Sequence, residues 1–257
     1  MAQTANPPTW LRPDPSARFR LFCFPYAGGS ASWFRSWRDQ LRPAIDVCPV
    51  QIPGRGNRFA EPPLRRCEAL CDMLAGELLP WLDVPFAFFG HSMGALVAFE
   101  LARHLRRHGR PGPTHLFLSG APGPRRPLPS RLHSMPEPAL LAELRRLNGT
   151  PPEILQQRDF MAIVIPLIRA DLELYETHVY SSEDLLDCPI SAFAGAADGL
   201  ASHEHVAAWR DETRGPFTLR MFEGDHFFLH KAGTPLLRAI SEDVSQPAFA
   251  TVWGGSR

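Results

Sequence analysis

Residues 86–96 read FAFFGHSMGAL, and Gly90-His91-Ser92-Met93-Gly94 within them set a serine between two glycines directly after an apolar run. The run has the character of a buried strand, and the pattern ALVAFELARHL that follows has helical spacing. Strand, tight turn and helix in that order form a nucleophile elbow, which raises a serine hydroxyl above the end of a sheet. Such a turn drives the serine toward positive φ at a cost on the order of 1–3 kcal/mol, and flanking glycines let backbone pass close by. In return, the hydroxyl stands at a helix N-terminus, where the Met93 amide is free to donate to an oxyanion. An ordinary glycine-rich strand-to-helix loop is the competing reading, so the rest of the chain has to decide.

Outward from the elbow, RLFCFP (20–25), IDVCPVQIP (45–53), FAFFG (86–90), HLFLSG (115–120), PISAFAG (189–195) and FTLRMFEG (217–224) read as strands. Most are nearly continuous apolar runs, as expected where helices cover both faces of a parallel sheet. Helical patterns lie between them: SWFRSWRDQL, LRRCEALCDMLAGELLPWL, and Ser92 to His108, which stops at Gly109 with Pro111 beyond. The alternation predicts an α/β fold with a mostly parallel, doubly wound sheet.

The rhythm breaks between Pro122 and about Tyr180. There APGPRRPLPSRLHSMPEP leads into the helical patterns ALLAELRRLNG and EILQQRDFMAIVIPLIRADLELYETH. An inserted helical lid fits these residues better than a long loop. The expected layout is a loose N-terminal arm over 1–17, a core over 18–121 and 181–245, a lid over 122–180, and a C-terminal tail over 246–257.

The chain has 257 residues, 44% of them hydrophobic, and a formal net charge of zero. That suffices for one large domain with a buried core. Balanced charge gives no reason to expect nucleic acid or an anionic membrane as partner. The N-terminus MAQTANPPTWLRPDPSARFR lacks the apolar core of a signal peptide, and no apolar run approaches the length of a membrane span. The five cysteines are an odd number, scattered among apolar segments, and read as reduced thiols of a cytoplasmic protein. Nothing demands more than a monomer.

A serine nucleophile needs a base and an orienting acid, and after an elbow these follow in the order serine, acid, histidine at strand ends. ISAFAGAADGL supplies Asp198 just past a strand, whereas Asp184 and Asp187 precede that strand and would lie at the wrong end of the sheet. MFEGDHFFLH supplies His226 past the last strand; its neighbour Asp225 diverges too far to orient its ring. Among the ten histidines, His104 and His108 lie beside arginines on a helix and read as solvated, and His230 reads as packing. His203 and His205 form an H-x-H pair without a ligand set around it, so no metal is expected. The second oxyanion donor should follow an early strand, and FPYAGGSASWF places Ala27 there. Neither G-x-G-x-x-G nor G-x-x-x-x-G-K-[ST] is spelled in that loop, so no nucleotide cofactor is expected.

FCFPYAGGSASWF, PVQIPGRGNRFAEPP, GHSMGALVAFELA, ELRRLNGTPPEIL, RADLELYE, CPISAFAG and AAWRDETRGPFTLRMFEGDHFFL together resemble the type II thioesterases. These are free-standing α/β-hydrolases that accompany modular polyketide synthases and nonribosomal peptide synthetases. They are related to the thioesterase that releases medium-chain fatty acids from animal fatty acid synthase. The resemblance runs from about Phe19 to Leu237. It implies Ser92 as nucleophile, Asp198 and His226 as its partners, and the Ala27 and Met93 amides as oxyanion donors. It also implies a substrate class, acyl thioesters on the phosphopantetheine arm of acyl or peptidyl carrier proteins, and an editing task, the removal of stalled or wrongly primed acyl groups. One departure is visible: the family usually has proline after the acid, and here Gly199 stands there.

In the lid, Met135, Leu140 and Leu144 from one helical pattern, and Phe160, Met161, Val164, Leu167 and Leu172 from the next, are candidates to line an acyl channel or simply to pack the lid. Arg103, Arg106, Arg107, Arg125, Arg126 and Arg131 are candidates to meet an acidic carrier protein, or to form a solvated basic face. A carboxylesterase or lipase acting on oxygen esters, an acyltransferase with the same triad, and a scaffold that only binds carrier protein are the open alternatives.

Overall fold

A computed structural model of the chain describes residues 10–126 and 131–245. Its strands are β1 (Arg20–Phe24), β2 (Asp46–Pro49), β3 (Phe86–His91), β4 (His115–Ser119), β5 (Ile190–Gly195) and β6 (Phe217–Phe222). Its helices are α1 (Arg35–Leu41), α2 (Cys67–Leu78), α3 (Met93–Arg107), α4 (Glu137–Leu147), α5 (Pro152–Leu155), α6 (Arg158–Glu176), α7 (His203–Ala207) and α8 (Gly233–Val244). The strands form one sheet in the order β2-β1-β3-β4-β5-β6, and every pairing is parallel. β1, β3, β4 and β5 are buried along their whole length, whereas the edge strand β6 is half exposed.

Alternate residues of each strand feed two cores. Phe22, Phe24, Phe86 and Phe88 face one side with the apolar stripes of α2 and α3. Leu21, Cys23, Phe89, Phe117 and Phe193 face the other with Trp37 of α1 and Leu236 and Ile240 of α8. Phe88 anchors the first side, meeting Phe24 edge to face at 5.2 Å and Phe22 at 6.0 Å. Because β2 and β3 lie on opposite sides of β1, the order of strands reverses between β1 and β3. Ligands of open α/β sheets bind outside the carboxyl ends of strands at such a point.

Two expectations shift. β2 ends at Pro49 instead of running through 53; one more bond to β1, from Val50 N–H to the Cys23 carbonyl at 2.9 Å, follows before the chain turns at Pro53. The segment expected to be loose over 1–17 is fastened from Trp10 onward. Leu11 is 3% exposed within the core, the Arg58 guanidinium lies 5.5 Å over the Trp10 ring, and the Asp14 amide donates to Asp46 Oδ2 at 2.7 Å. Residues 1–9 and the tail over 246–257 lie outside the described residues.

Helices α4, α5 and α6 all fall between β4 and β5. They share a small core of Leu140, Leu155, Met161, Ile165, Ile168 and Leu172, and α6 packs on α3. No helix among the described residues is long and apolar enough to cross a membrane.

His115 opens β4 with its ring stacked on Phe117, centroids 4.2 Å apart. Ser191 Oγ donates to Asp243 Oδ2 at 2.6 Å and so accepts from His115 Nε2 at 2.8 Å. Burial pushes its pKa down to about 4, with Asp243 opposing and Arg220 assisting. In the unfolded chain the same group takes a proton near its ordinary value of about 6.5. Between about pH 6.5 and 4 the unfolded state therefore binds more protons, and stability falls as the pH falls. At ~1.4 kcal/mol per pKa unit the full effect is on the order of 3 kcal/mol. His115→Gln should flatten this loss: its melting temperature should fall less than wild type between about pH 7 and pH 4.5. Parallel melting curves for the two proteins would contradict that reading.

Candidate active site

Ser92 takes φ 54° and ψ −119° between β3 and α3, a conformation that costs a non-glycine residue about 1–3 kcal/mol. Two backbone hydrogen bonds hold it there, from Ser92 N–H to the Ser119 carbonyl at 2.8 Å and from Ala95 N–H to the Ser92 carbonyl at 2.9 Å. The flanking glycines allow strand, turn and helix to meet backbone to backbone. A Cβ on Gly90 would lie 2.0 Å from the Gly94 carbonyl oxygen, and one on Gly94 would lie 2.2 Å from that of Phe24.

Asp198 stands past the end of β5 and His226 past the end of β6. Asp198 Oδ2 meets His226 Nδ1 at 2.9 Å, and both side chains are buried. Asp198 Oδ1 accepts two backbone donors, Leu200 N–H at 2.8 Å and Ala201 N–H at 3.1 Å. The carboxylate is thus fixed at both oxygens, which secures the loop despite Gly199. Asp225 is turned elsewhere: it accepts from Phe227 N–H at 2.9 Å and from Asn148 Nδ2 at 3.2 Å. Asp184 and Asp187 lie near Arg214 on the surface.

Ser92 and His226 open into one cavity of about 420 Å³, whose wall includes Tyr26, Ala27 and Met93. Ala27 follows β1 and Met93 follows β3, so their amides come from neighbouring strands at the point where strand order reverses. Among the described residues neither amide donates to another group of the chain.

His91 lies beneath this arrangement. It is fully buried, its Nδ1 is 2.9 Å from Ser119 Oγ, and its ring centroid is 5.0 Å from that of His226. Burial, reinforced by the neighbouring His226 and His230, pushes its pKa well below the usual histidine value, so it adds no positive charge beside His226. His230 stacks on Trp33 at 4.5 Å, and Tyr26 meets Phe227 edge to face at 4.9 Å. Burial also raises the Tyr26 phenol to about 12.

Of the candidate lining residues, Leu144, Phe160, Val164, Leu167 and Leu172 face the cavity. Leu140 and Met161 instead fill the small core of α4–α6, and Met135 packs against it. The basic face is corrected at Arg103, which is 2% exposed and pairs with Glu100 at 2.8 Å and Glu183 at 2.9 Å. Arg106 and Arg107 also meet Glu183, Arg125 meets Glu212, and Arg126 meets Glu204. Sequence reasoning missed a further ion pair at the cavity wall, between Arg55 and Asp171 at 2.6 Å. Both residues sit in stretches noted above, PVQIPGRGNRFAEPP and RADLELYE, but nothing in either stretch points to the other.

Comparison with known proteins agrees with this architecture. The family described as "Thioesterase domain" matches residues 19–244. The gramicidin S biosynthesis protein GrsT of Aneurinibacillus migulanus is 43% identical over 230 residues, 89% of this chain and 90% of its own. The solved structure of RedJ, a thioesterase from the prodiginine pathway of Streptomyces coelicolor, superposes with a TM-score of 0.85 at 39% identity, covering 95% of this chain and 90% of its own. BorB, the type II thioesterase from the borrelidin biosynthetic cluster, gives 0.84 at 37% identity over 93% of this chain and 98% of its own. The chain belongs to the thioesterase family, as a type II thioesterase of the kind that serves polyketide and nonribosomal peptide pathways, with an α/β-hydrolase fold.

Proposed function

We propose that Ser92 is the nucleophile of this thioesterase, His226 its general base and Asp198 the residue that orients His226, with the Ala27 and Met93 amides as oxyanion donors. The observation that carries this reading is the 2.9 Å contact between Asp198 Oδ2 and His226 Nδ1 beside a cavity that also exposes Ser92 on a strained turn. With Nδ1–H donated to the carboxylate, Nε2 is the ring nitrogen left to take the Ser92 proton. Ser92 Oγ then attacks the thioester carbonyl, and the two amides receive the negative charge on oxygen. Collapse expels a thiolate, which leaves readily, and His226 returns a proton. Water deprotonated by His226 next attacks the acyl-serine, releasing the carboxylic acid and restoring the serine.

The substrate is an acyl group on the phosphopantetheine arm of a carrier protein, and the task is to clear stalled or wrongly primed acyl groups. Support comes from the biosynthetic pathways named for the relatives and from the apolar wall that α4–α6 give the cavity. These helices act as its lid, within residues 122–180. The protein works in the cytoplasm, in keeping with five unpaired cysteines.

Carrier proteins loaded with a panel of acyl groups, followed by intact mass, test the assignment. Free carrier and free acid should appear together, faster than the corresponding alkyl esters are cleaved. A preference for oxygen esters, or transfer of the acyl group to an added nucleophile in place of hydrolysis, would overturn it.

A further inference from the structure

The backbone of the loop after β1 is held almost entirely by side chains from two distant segments. Gly29 N–H closes a turn on the Tyr26 carbonyl at 2.8 Å. Gly28 N–H donates to Asp171 Oδ2 at 2.8 Å, and the Gly29 carbonyl accepts from Arg55 Nη1 at 3.0 Å. Ala31 N–H donates to Gln51 Oε1 at 3.2 Å, while Gln51 Nε2 donates to the Arg55 carbonyl at 3.1 Å. Arg55 and Asp171 are joined at both oxygens, at 2.6 and 2.8 Å, and are 5% and 1% exposed. Asp171 belongs to α6, and α6 also presses on the loop directly. Gly28 has φ 77°, and a Cβ there would lie 2.9 Å from Ile168 Cγ1.

This pattern fixes the direction of one peptide in particular. The Ala27–Gly28 peptide is pinned by its N–H to Asp171, and the end of β1 holds the chain on the other side. The Ala27 N–H belongs to the preceding Tyr26–Ala27 peptide, whose carbonyl is held by Gly29 N–H, and among the described residues it has no partner at the cavity wall. A charged, buried, two-point contact resists rotation more than a single neutral hydrogen bond, because breaking it strands a charge away from water.

We propose that Asp171 and Arg55 are positioning residues of the reaction, holding the Ala27 amide at the place where the oxyanion forms, so that this donor is in position only while α6 is seated on the body of the enzyme. The proposal rests on the reading of Ala27 as an oxyanion donor. Neither residue touches the reacting atoms. They act through the loop, and movement of the lid helix would switch the donor as well as open the channel.

Asp171→Asn tests it. The amide oxygen can still accept from Gly28, but its NH₂ group cannot bind the guanidinium. With an acyl-pantetheine substrate, kcat should fall roughly 10- to 100-fold, less than the ~100- to 1000-fold of losing a donor outright, while KM stays within about threefold. A paired inhibitor measurement separates positioning from general damage. A trifluoromethyl ketone bearing the same acyl chain adds Ser92 Oγ at its carbonyl carbon, the proton passing to His226, and leaves an anionic oxygen that needs the donors. The matching thioether binds without forming that charge. The ketone should lose affinity in step with kcat/KM, and the thioether should not.

Arg55→Lys, which keeps a cation beside Asp171 but loses the two-point contact, should show the same signature at smaller size. It serves if Asp171→Asn does not fold. Wild-type kcat in a folded variant, or equal losses for ketone and thioether, would overturn the positioning role. Wild-type enzyme without any Ser92-dependent thioester hydrolysis would instead overturn the reading on which it rests.

Discussion

Ser92→Ala should lower thioester hydrolysis by roughly 10,000- to 1,000,000-fold while leaving the fold intact. Alanine keeps the Cβ, so the strain at φ 54° is unchanged, and the two backbone hydrogen bonds that hold the turn do not involve the hydroxyl. The melting temperature should therefore stay within a few degrees of wild type. The cavity wall is also unchanged, so KM for any residual activity should move little. His226→Ala should cost about as much, because nucleophile and base act as one unit and removing either disables both. Release of acyl groups from a loaded carrier protein, followed by intact mass over hours, has the range to register such losses. Activity within tenfold of wild type in folded Ser92→Ala protein would contradict the serine mechanism.

Asp198→Asn should cost roughly 1,000- to 10,000-fold, through the wrong tautomer of His226. The direction of the effect follows from the partners of the carboxylate. Oδ1 accepts from the Leu200 and Ala201 amides, and Oδ2 faces His226 Nδ1. An asparagine in this place keeps its oxygen toward the two backbone donors, which turns its NH₂ group toward His226. That group donates to Nδ1, so the ring proton moves to Nε2, and Nε2 can no longer accept the proton of Ser92. Asp198→Ala removes the orienter without imposing the wrong tautomer, and it should be no worse than Asp198→Asn. The loss should fall on kcat, measured with acyl-pantetheine over a range of concentrations. A change confined to KM would show that Asp198 shapes the binding site and does not act through His226.

The sheet was legible because its strands are apolar runs separated by helical patterns, and chain segments of that kind have few other ways to be buried. The elbow was legible because two glycines bracket one serine, and the 2.0 and 2.2 Å approaches at Gly90 and Gly94 show why no larger residue would do. The positions of Asp198 and His226 followed from strand ends, a matter of local order along the chain. What escaped were contacts made between segments far apart in sequence. Arg103 reads as one of several exposed basic residues, yet it is held inside by Glu183 from a loop far along the chain as well as by Glu100 on its own helix. The proline-rich start reads as loose, although Leu11 inserts into the core and the Asp14 amide finds Asp46. Nothing near Arg55 or Asp171 in the chain points to the other, and the two meet, out of water, only in the folded protein, where α6 packs on α3. Local pattern shows which face of an element is apolar; it does not show which distant side chain will satisfy a buried charge.

The most direct test is to trap the covalent intermediate. Wild-type enzyme mixed with acyl-loaded carrier protein, quenched in acid within seconds and digested, should yield one peptide heavier by the mass of the acyl group. That peptide should contain Ser92, and the adduct should be absent from Ser92→Ala enzyme. An acyl group found on any other residue, or carrier protein stripped at the wild-type rate by Ser92→Ala enzyme, would contradict a reaction that passes through this serine.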